Sequence, residues 1–397
     1  MADPGTLAPT AALGSQRQAE LYRAGLLGQQ PLLPVAYEDL ARAAQAQMKP
    51  EAYVYVAGGA GGGDTLRANR AAFERWRIVP RFLRDVAQRD LRVNLLGQTF
   101  PAPLLLAPIG VQSIIHKEGE VAAARAARTL GLPMVLSTVA SNSMEDVAAA
   151  LGDTPHWFQL YWPVDRELAL SLVRRAEQAG YSALVVTLDT FMLAWREGDL
   201  QNAYLPFLHG DGMANYTSDP VFRHAIAPLL PTNPAAAIAH FLKVGFNPTL
   251  TWDDIAFLKQ NTKLPILLKG ILDPEDARKA VDFGVAGLVV SNHGGRQVDG
   301  AIASLDALPR IAEAVRDQVP VLLDSGIRRG SDIFKALALG ARAVLVGRPY
   351  VFGLALAGAA GAQFVLHNLL ADFDLTLGLA GCRTLPEVTR ERLYMVE

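Results

Sequence analysis

The residues able to do chemistry gather most densely in Ser291-Asn-His-Gly-Gly-Arg-Gln. A neutral histidine accepts a proton near neutral pH, which makes His293 a candidate base. Arg296 follows it across two glycines and can fold back to fork onto a carboxylate in the same cavity. Alone, an H-x-x-R pattern describes a loop pair more often than a catalytic one. Two further segments, Asp324-Ser-Gly-Ile-Arg-Arg-Gly and Val346-Gly-Arg-Pro, set glycine beside arginine. Exposed main-chain N–H groups with guanidinium groups beside them suit a phosphate. Proton acceptor, carboxylate clamp and phosphate cradle are thus present in one chain.

Something must bring these segments together. Eight short β-branched or aliphatic runs recur along the chain: 102–109, 134–137, 156–161, 184–189, 266–270, 287–292, 321–325 and 343–347. Helical stretches lie between them at 120–130, 144–151, 165–179, 274–283, 305–315 and 331–339, several opened by a capping residue such as Ser143, Asp273 or Ser331. Fully apolar runs alternating with helices mark buried parallel strands, and eight repeats predict an α/β fold of the (β/α)8 TIM-barrel type. A doubly wound sheet is disfavoured because no GxGxxG follows the first strand. In such a barrel the strand C-termini face the site. Here they carry Ser137, Gln159 with Tyr161, Thr187 with Asp189, Lys269, Ser291 with His293 and Arg296, Asp324 and Arg348. A full circle of reactive strand ends is hard to explain by solvation, and Lys269 one strand before His293 turns the H-x-x-R pair toward catalysis.

Composition narrows the partners. The 397 residues are 51% hydrophobic, with 39 acidic against 37 basic side chains and a net charge of −2. No basic field is present to attract nucleic acid or an anionic membrane. A single cysteine, Cys382, reads as packing and fits a cytoplasmic setting. No histidine pair has metal-ligand spacing, so no metal is expected. Residues 1–34 show little pattern and read as an N-terminal tail before a barrel domain over 35–397, with no secretory signal. No uninterrupted apolar run spans a bilayer, and the apolar stretch 353–361 reads as a buried helix segment.

The ordered motifs SNHGGRQ, DSGIRRG with GRP, FQLYW, TLDT and LLKG resemble the FMN-dependent L-2-hydroxy acid oxidases and dehydrogenases from about Tyr37 to Glu397. Within that family Ala107-Pro-Ile-Gly, Trp195-Arg196 and the segment 214–222 look most like lactate 2-monooxygenase. The resemblance implies FMN as cofactor, a small L-2-hydroxy acid and O2 as substrates, and a homotetramer or larger ring. It makes His293 the base and Asp189 the carboxylate that supports its imidazolium. Arg296 and Arg196 become the substrate guanidinium groups, and Tyr55 and Tyr161 the phenols on substrate carboxylate and hydroxyl. Lys269 falls beside the flavin N1 edge. Pro108, Ile109, Gly110, Ser137, Gln159, Thr187 and Ser291 match contacts to the ring and ribityl chain. The loop Asp324, Ser325, Gly326, Ile327 and Arg328, with Gly347 and Arg348, matches the ribityl and phosphate end.

Three features refine the expectation. Gly110 replaces the alanine of many oxidases in the family, as it does in lactate monooxygenases, and a lost methyl would enlarge the space at the reactive face. Val139 stands where plant glycolate oxidases have tryptophan. More than fifty residues (197–251) separate the fourth and fifth strands, with enough aromatic content to suggest an ordered lid over the mouth. Phe191, Met192, Trp195 and the segment 204–207 would wall the site for a methyl or slightly larger side chain. The resulting expectation is L-lactate oxidation with decarboxylation to acetate, CO2 and water. The alternatives are an oxidase releasing pyruvate and H2O2, or a dehydrogenase using another acceptor.

Overall fold

All eight apolar runs become strands of one closed, wholly parallel barrel: β1 (Leu104–Leu106), β2 (Met134–Leu136), β3 (His156–Leu160), β4 (Leu184–Thr187), β5 (Ile266–Ile271), β6 (Gly287–Val290), β7 (Val321–Leu323) and β8 (Ala343–Val346). They pair in chain order, and β8 closes onto β1 through Leu345 opposite Leu105. The computed structural model describes residues 12–396 except 231, 232 and 234. Each strand is apolar on both faces because both are buried. Leu105, Val135, Trp157, Val185, Leu267, Val289, Leu322 and Leu345 fill the interior. Their neighbours, such as Leu104, Leu136, Phe158 and Val186, pack against the surrounding helices. An antiparallel hairpin, 93–95 with 98–100, closes the N-terminal end of the barrel. It brings Val93, Leu95 and Phe100 into the interior cluster and sets Phe100 edge-on to Trp157 at 6.3 Å.

Four helices precede the barrel: α1 (Leu13–Leu26), α2 (Tyr37–Gln47), α3 (Pro50–Ala57) and α4 (Asp64–Glu74). The patternless reading of the first thirty residues is therefore corrected for α1. Its docking is tertiary: Gly14 N–H donates to the buried Asp374 carboxylate at 2.8 Å. Residues 1–11 lie outside the described residues. Ser143 and Asp273 cap their helices as read, whereas Ser331 does not. That helix starts at Gly330, and Asp332 Oδ2 accepts the N–H groups of Arg328 and Arg329 at 2.9 and 3.1 Å.

The apolar segment 353–361 belongs to a C-terminal helix, Arg348–Leu379, broken at Ala357–Gly358. By length and composition alone this helix could cross a membrane, which the residue runs did not suggest, but 72% of its apolar window is buried within the protein. The segment 197–251 is built from short helices. Phe207, Tyr216, Phe222 and Phe241 form a buried aromatic cluster there, with Phe207 and Phe241 centred 5.0 Å apart.

Candidate active site

The C-terminal strand ends open into a cleft of about 1380 Å3, part of it solvent. His293, Tyr161, Tyr55, Arg196 and Arg296 line it together with Gly326, Ile327, Arg328, Gly347 and Arg348. Pro108, Ile109, Gly110, Lys269, Asp324 and Ser325 also border it.

His293 follows β6 in a left-handed conformation (φ 59°). Its Nδ1 lies 2.8 Å from Asp189 Oδ1 and 3.1 Å from Thr190 Oγ1. The Thr190 hydroxyl itself donates to Asp189 Oδ1 at 3.0 Å. With Asp189 ionised, the proton of the neutral ring resides on Nδ1, leaving Nε2 as acceptor. Nε2 is 3.3 Å from the Tyr161 hydroxyl. Burial pushes the His293 pKa down, outweighing the upward pull of Asp189. For Asp189, burial alone would raise the carboxyl, but His293 and Lys269 bring it down to about 2. Burial pushes the Tyr161 phenol up to about 12, so it is a hydroxyl donor near neutrality.

The cations are arranged around this pair. Arg296 donates to the carbonyls of Tyr55 and Gly58 and lies over the Tyr55 ring, 4.8 Å from its centre. Burial and the Arg196 charge push the Arg296 guanidinium down to about 9. The nearby Asp199 carboxylate, 3.9 Å from Arg196, offsets only part of that loss. Arg196 is held by the Arg296 carbonyl at 3.1 Å and Gln297 Oε1 at 2.8 Å. Lys269 Nζ lies 3.0 Å from Ser291 Oγ and 3.2 Å from Asp324 Oδ2. Burial opposes its charge, but Asp324 and Asp189 hold its pKa above the usual lysine value.

Ser137 and Gln159 meet at 3.2 Å at the ends of β2 and β3. The Gln159 Nε2 and Thr187 Oγ1 atoms, on adjacent strands, are buried without a protein partner. Unmet polar atoms at the strand ends, with the Lys269 ammonium and a glycine-arginine loop lining the cleft, fit the polar edge, chain and phosphate of FMN.

Some expected details differ. The Arg348 guanidinium does not point freely toward a phosphate: it donates to the carbonyls of Val56, Gly294 and Gly58 at 3.0, 3.0 and 2.8 Å. Gly347 and Arg348 still stand at the N-terminus of a helix, the end that favours an anion. Gly110 does not enlarge the cleft by a missing methyl, since a Cβ there would come within 2.4 Å of the Val139 carbonyl oxygen. The expected wall also shifts. Phe191, Met192 and Trp195 are largely exposed, whereas Phe207, from the expected segment 204–207, does line the cleft, joined by Leu193, Val139, Phe241 and Phe246.

Thr190 and Gln297 were not singled out from the sequence. Thr190 is the last residue of the TLDT motif and Gln297 the last of SNHGGRQ, so adjacency was their only signal. Gln297 Nε2 holds the Asp189 carbonyl at 2.7 Å, joining the base loop to the loop that carries Arg196.

The family model for FMN-dependent dehydrogenases matches residues 44–395. An L-lactate oxidase of Lysinibacillus sphaericus (strain C3-41) is 49% identical over 348 residues, 88% of this chain and 89% of the relative. A peroxisomal (S)-2-hydroxy-acid oxidase of Oryza sativa subsp. japonica is 44% identical, covering 90% of this chain and 94% of the relative. A crystal structure of mandelate oxidase superposes with a TM-score of 0.81 at 40% identity, covering 91% of this chain and 98% of that one. The chain belongs to the FMN-dependent α-hydroxy acid dehydrogenase family. It is an oxidoreductase that uses FMN to oxidise an L-2-hydroxy acid. These similarities run to lactate and mandelate oxidases and do not support the nearer resemblance to lactate 2-monooxygenase drawn from Ala107-Pro-Ile-Gly, Trp195-Arg196 and the segment 214–222.

Proposed function

We propose that this chain oxidises a small L-2-hydroxy acid, L-lactate foremost, to the 2-oxo acid and passes the electrons to O2, releasing hydrogen peroxide. The observation that carries the reading is the His293–Asp189 pair, its free Nε2 beside the Tyr161 hydroxyl and the Arg196 and Arg296 guanidinium groups in the same cleft. Arg296 forks onto the substrate carboxylate with Arg196 and Tyr55 beside it, fixing C2 and its hydroxyl near His293. Tyr161 hydrogen-bonds the substrate hydroxyl. His293 Nε2 takes the substrate proton, and the Asp189 carboxylate stabilises the imidazolium that forms. FMN, when bound, would supply the acceptor for the two electrons and the remaining substrate hydrogen, and the Lys269 ammonium would stabilise the negative charge of its reduced form.

The peroxide outcome replaces the acetate outcome for two reasons. A methyl on Gly110 would run into the Val139 carbonyl, so glycine there opens no extra space, and the L-lactate oxidases among the relatives support release of the 2-oxo acid. Anaerobic L-lactate is expected to bleach the flavin absorbance of the holoenzyme. In air, pyruvate and peroxide should appear in equal amounts, and acetate as the carbon product would overturn the oxidase reading. If no short L-2-hydroxy acid bleaches the flavin, the whole assignment fails.

A further inference from the structure

The loop that carries His293 is held from outside the barrel. Asn292, His293, Gly294 and Gly295 follow β6, and the last three all have left-handed backbone, with φ of 59°, 67° and 76°. A non-glycine residue at positive φ persists only where its surroundings over-determine it. Those surroundings are found on α4. Asn69 and Asn292 are both buried, at 2% and 4% exposure, and exchange a reciprocal pair of amide hydrogen bonds. Asn69 Nδ2 donates to Asn292 Oδ1 at 2.9 Å, and Asn292 Nδ2 donates to Asn69 Oδ1 at 2.7 Å. The remaining capacity of the pair is spent on the same loop. Asn292 Oδ1 accepts Gly295 N–H at 3.1 Å, Asn292 Nδ2 donates to the Ile302 carbonyl at 3.1 Å, and Asn69 Oδ1 accepts Ser304 N–H at 3.3 Å.

The same face of α4 reaches the phosphate-end loop. Leu66, Asn69, Arg70 and Phe73 stand at i, i+3, i+4 and i+7, one stripe of the helix. At Gly295 a Cβ would fall 2.6 Å from Leu66 N, and at Gly326 (φ +92°) it would fall 2.8 Å from the Asn69 carbonyl oxygen. Arg70 donates to the Gly326 carbonyl and to Asp332 Oδ2, which also accepts the Arg328 N–H. One face of α4 therefore supports both the base loop and the loop beneath the phosphate end.

We propose that Asn69 is a positioning residue for the reaction, setting the His293 ring through Asn292 and tying its placement to the Asp324–Arg328 loop. The inference rests on His293 being the base. Replacing Asn69 by Asp keeps the shape but turns the donor into an acceptor facing Asn292 Oδ1, and Asn69→Ala removes the partner without repulsion.

For both variants, kcat is expected to fall about tenfold or more with KM within about twofold, the size expected for losing buried hydrogen bonds that act only through orientation. The acid limb of the rate–pH profile should move, because the ring no longer sits square on Asp189. The FMN dissociation constant, read from fluorescence quenching on the apoprotein, should rise at least several-fold. FMN-loaded variants with wild-type kcat, pH limb and FMN affinity, and only a lowered Tm, would show a purely structural role and overturn the proposal. His293→Ala is run alongside. If it still bleaches with L-lactate, the base assignment fails and takes this inference with it. If it is inactive while the Asn69 variants are normal, only the inference about Asn69 fails.

Discussion

At His293 the local electrostatics set a direction for the pH dependence. Burial lowers the imidazole pKa, and the base works only when neutral. Activity should therefore rise with pH through an acid limb below the ordinary histidine value of 6.5 and level off above it, until Arg296, pushed down to about 9, loses the charge that holds the substrate. A rate–pH profile of kcat/KM whose acid limb lies above 6.5 would contradict the geometry. His293→Ala should retain FMN yet slow anaerobic flavin reduction by about 100-fold or more, the usual worth of a positioned base. Thr190 offers a subtler test. Its hydroxyl and Asp189 together hold the proton on Nδ1. Thr190→Val should slow flavin reduction several-fold, up to about tenfold, in stopped flow while leaving substrate affinity nearly unchanged. Both groups stand in familiar motifs, but only His293 and Asp189 announce chemistry by type. A threonine beside an aspartate is common in any strand-to-loop junction, so its part emerged only from distances.

The elements were legible in proportion to how local their signal is. The eight strands are continuous apolar runs because both faces are buried, and that pattern survives reading one residue at a time. The docking of α1 depends on Asp374, 360 residues away from Gly14 in the chain, so no local pattern announces it. The insertion is the intermediate case. Its aromatic residues signalled order, yet which of them face the cleft is decided by how its helices fold back. Phe207 is buried in the cleft wall, whereas Phe191, Met192 and Trp195, just ahead of the insertion, are exposed. Phe207→Ala should thus cost about 3 kcal/mol of stability by leaving a cavity against Phe241. It should also raise kcat/KM for longer 2-hydroxy acids relative to L-lactate. Unchanged chain-length preference in the purified variant would remove Phe207 from the substrate wall.

For the whole molecule, the N-terminal helices and the C-terminal helix fasten the barrel from outside. Asp374, fully buried, receives Gly14 N–H and two bonds from Arg89, at 2.7 and 2.6 Å. Removing it strands the guanidinium and unties α1 at once. Asp374→Ala should destabilise the protein by about 3 kcal/mol in denaturant or thermal unfolding, while kcat of the folded fraction stays unchanged. A loss of catalysis without a loss of stability would place this cluster in the site instead.

The hairpin at 93–100 has a consequence for traffic. Phe100, edge-on to Trp157, helps stopper the barrel floor, so among the described residues the cleft is reached from the strand C-termini. On the proposed oxidase reaction, hydroxy acid, oxygen, oxo acid and peroxide would share that doorway. Whatever stands in that doorway meters both halves of the reaction, so a lingering oxo acid delays the next substrate and obstructs oxygen together.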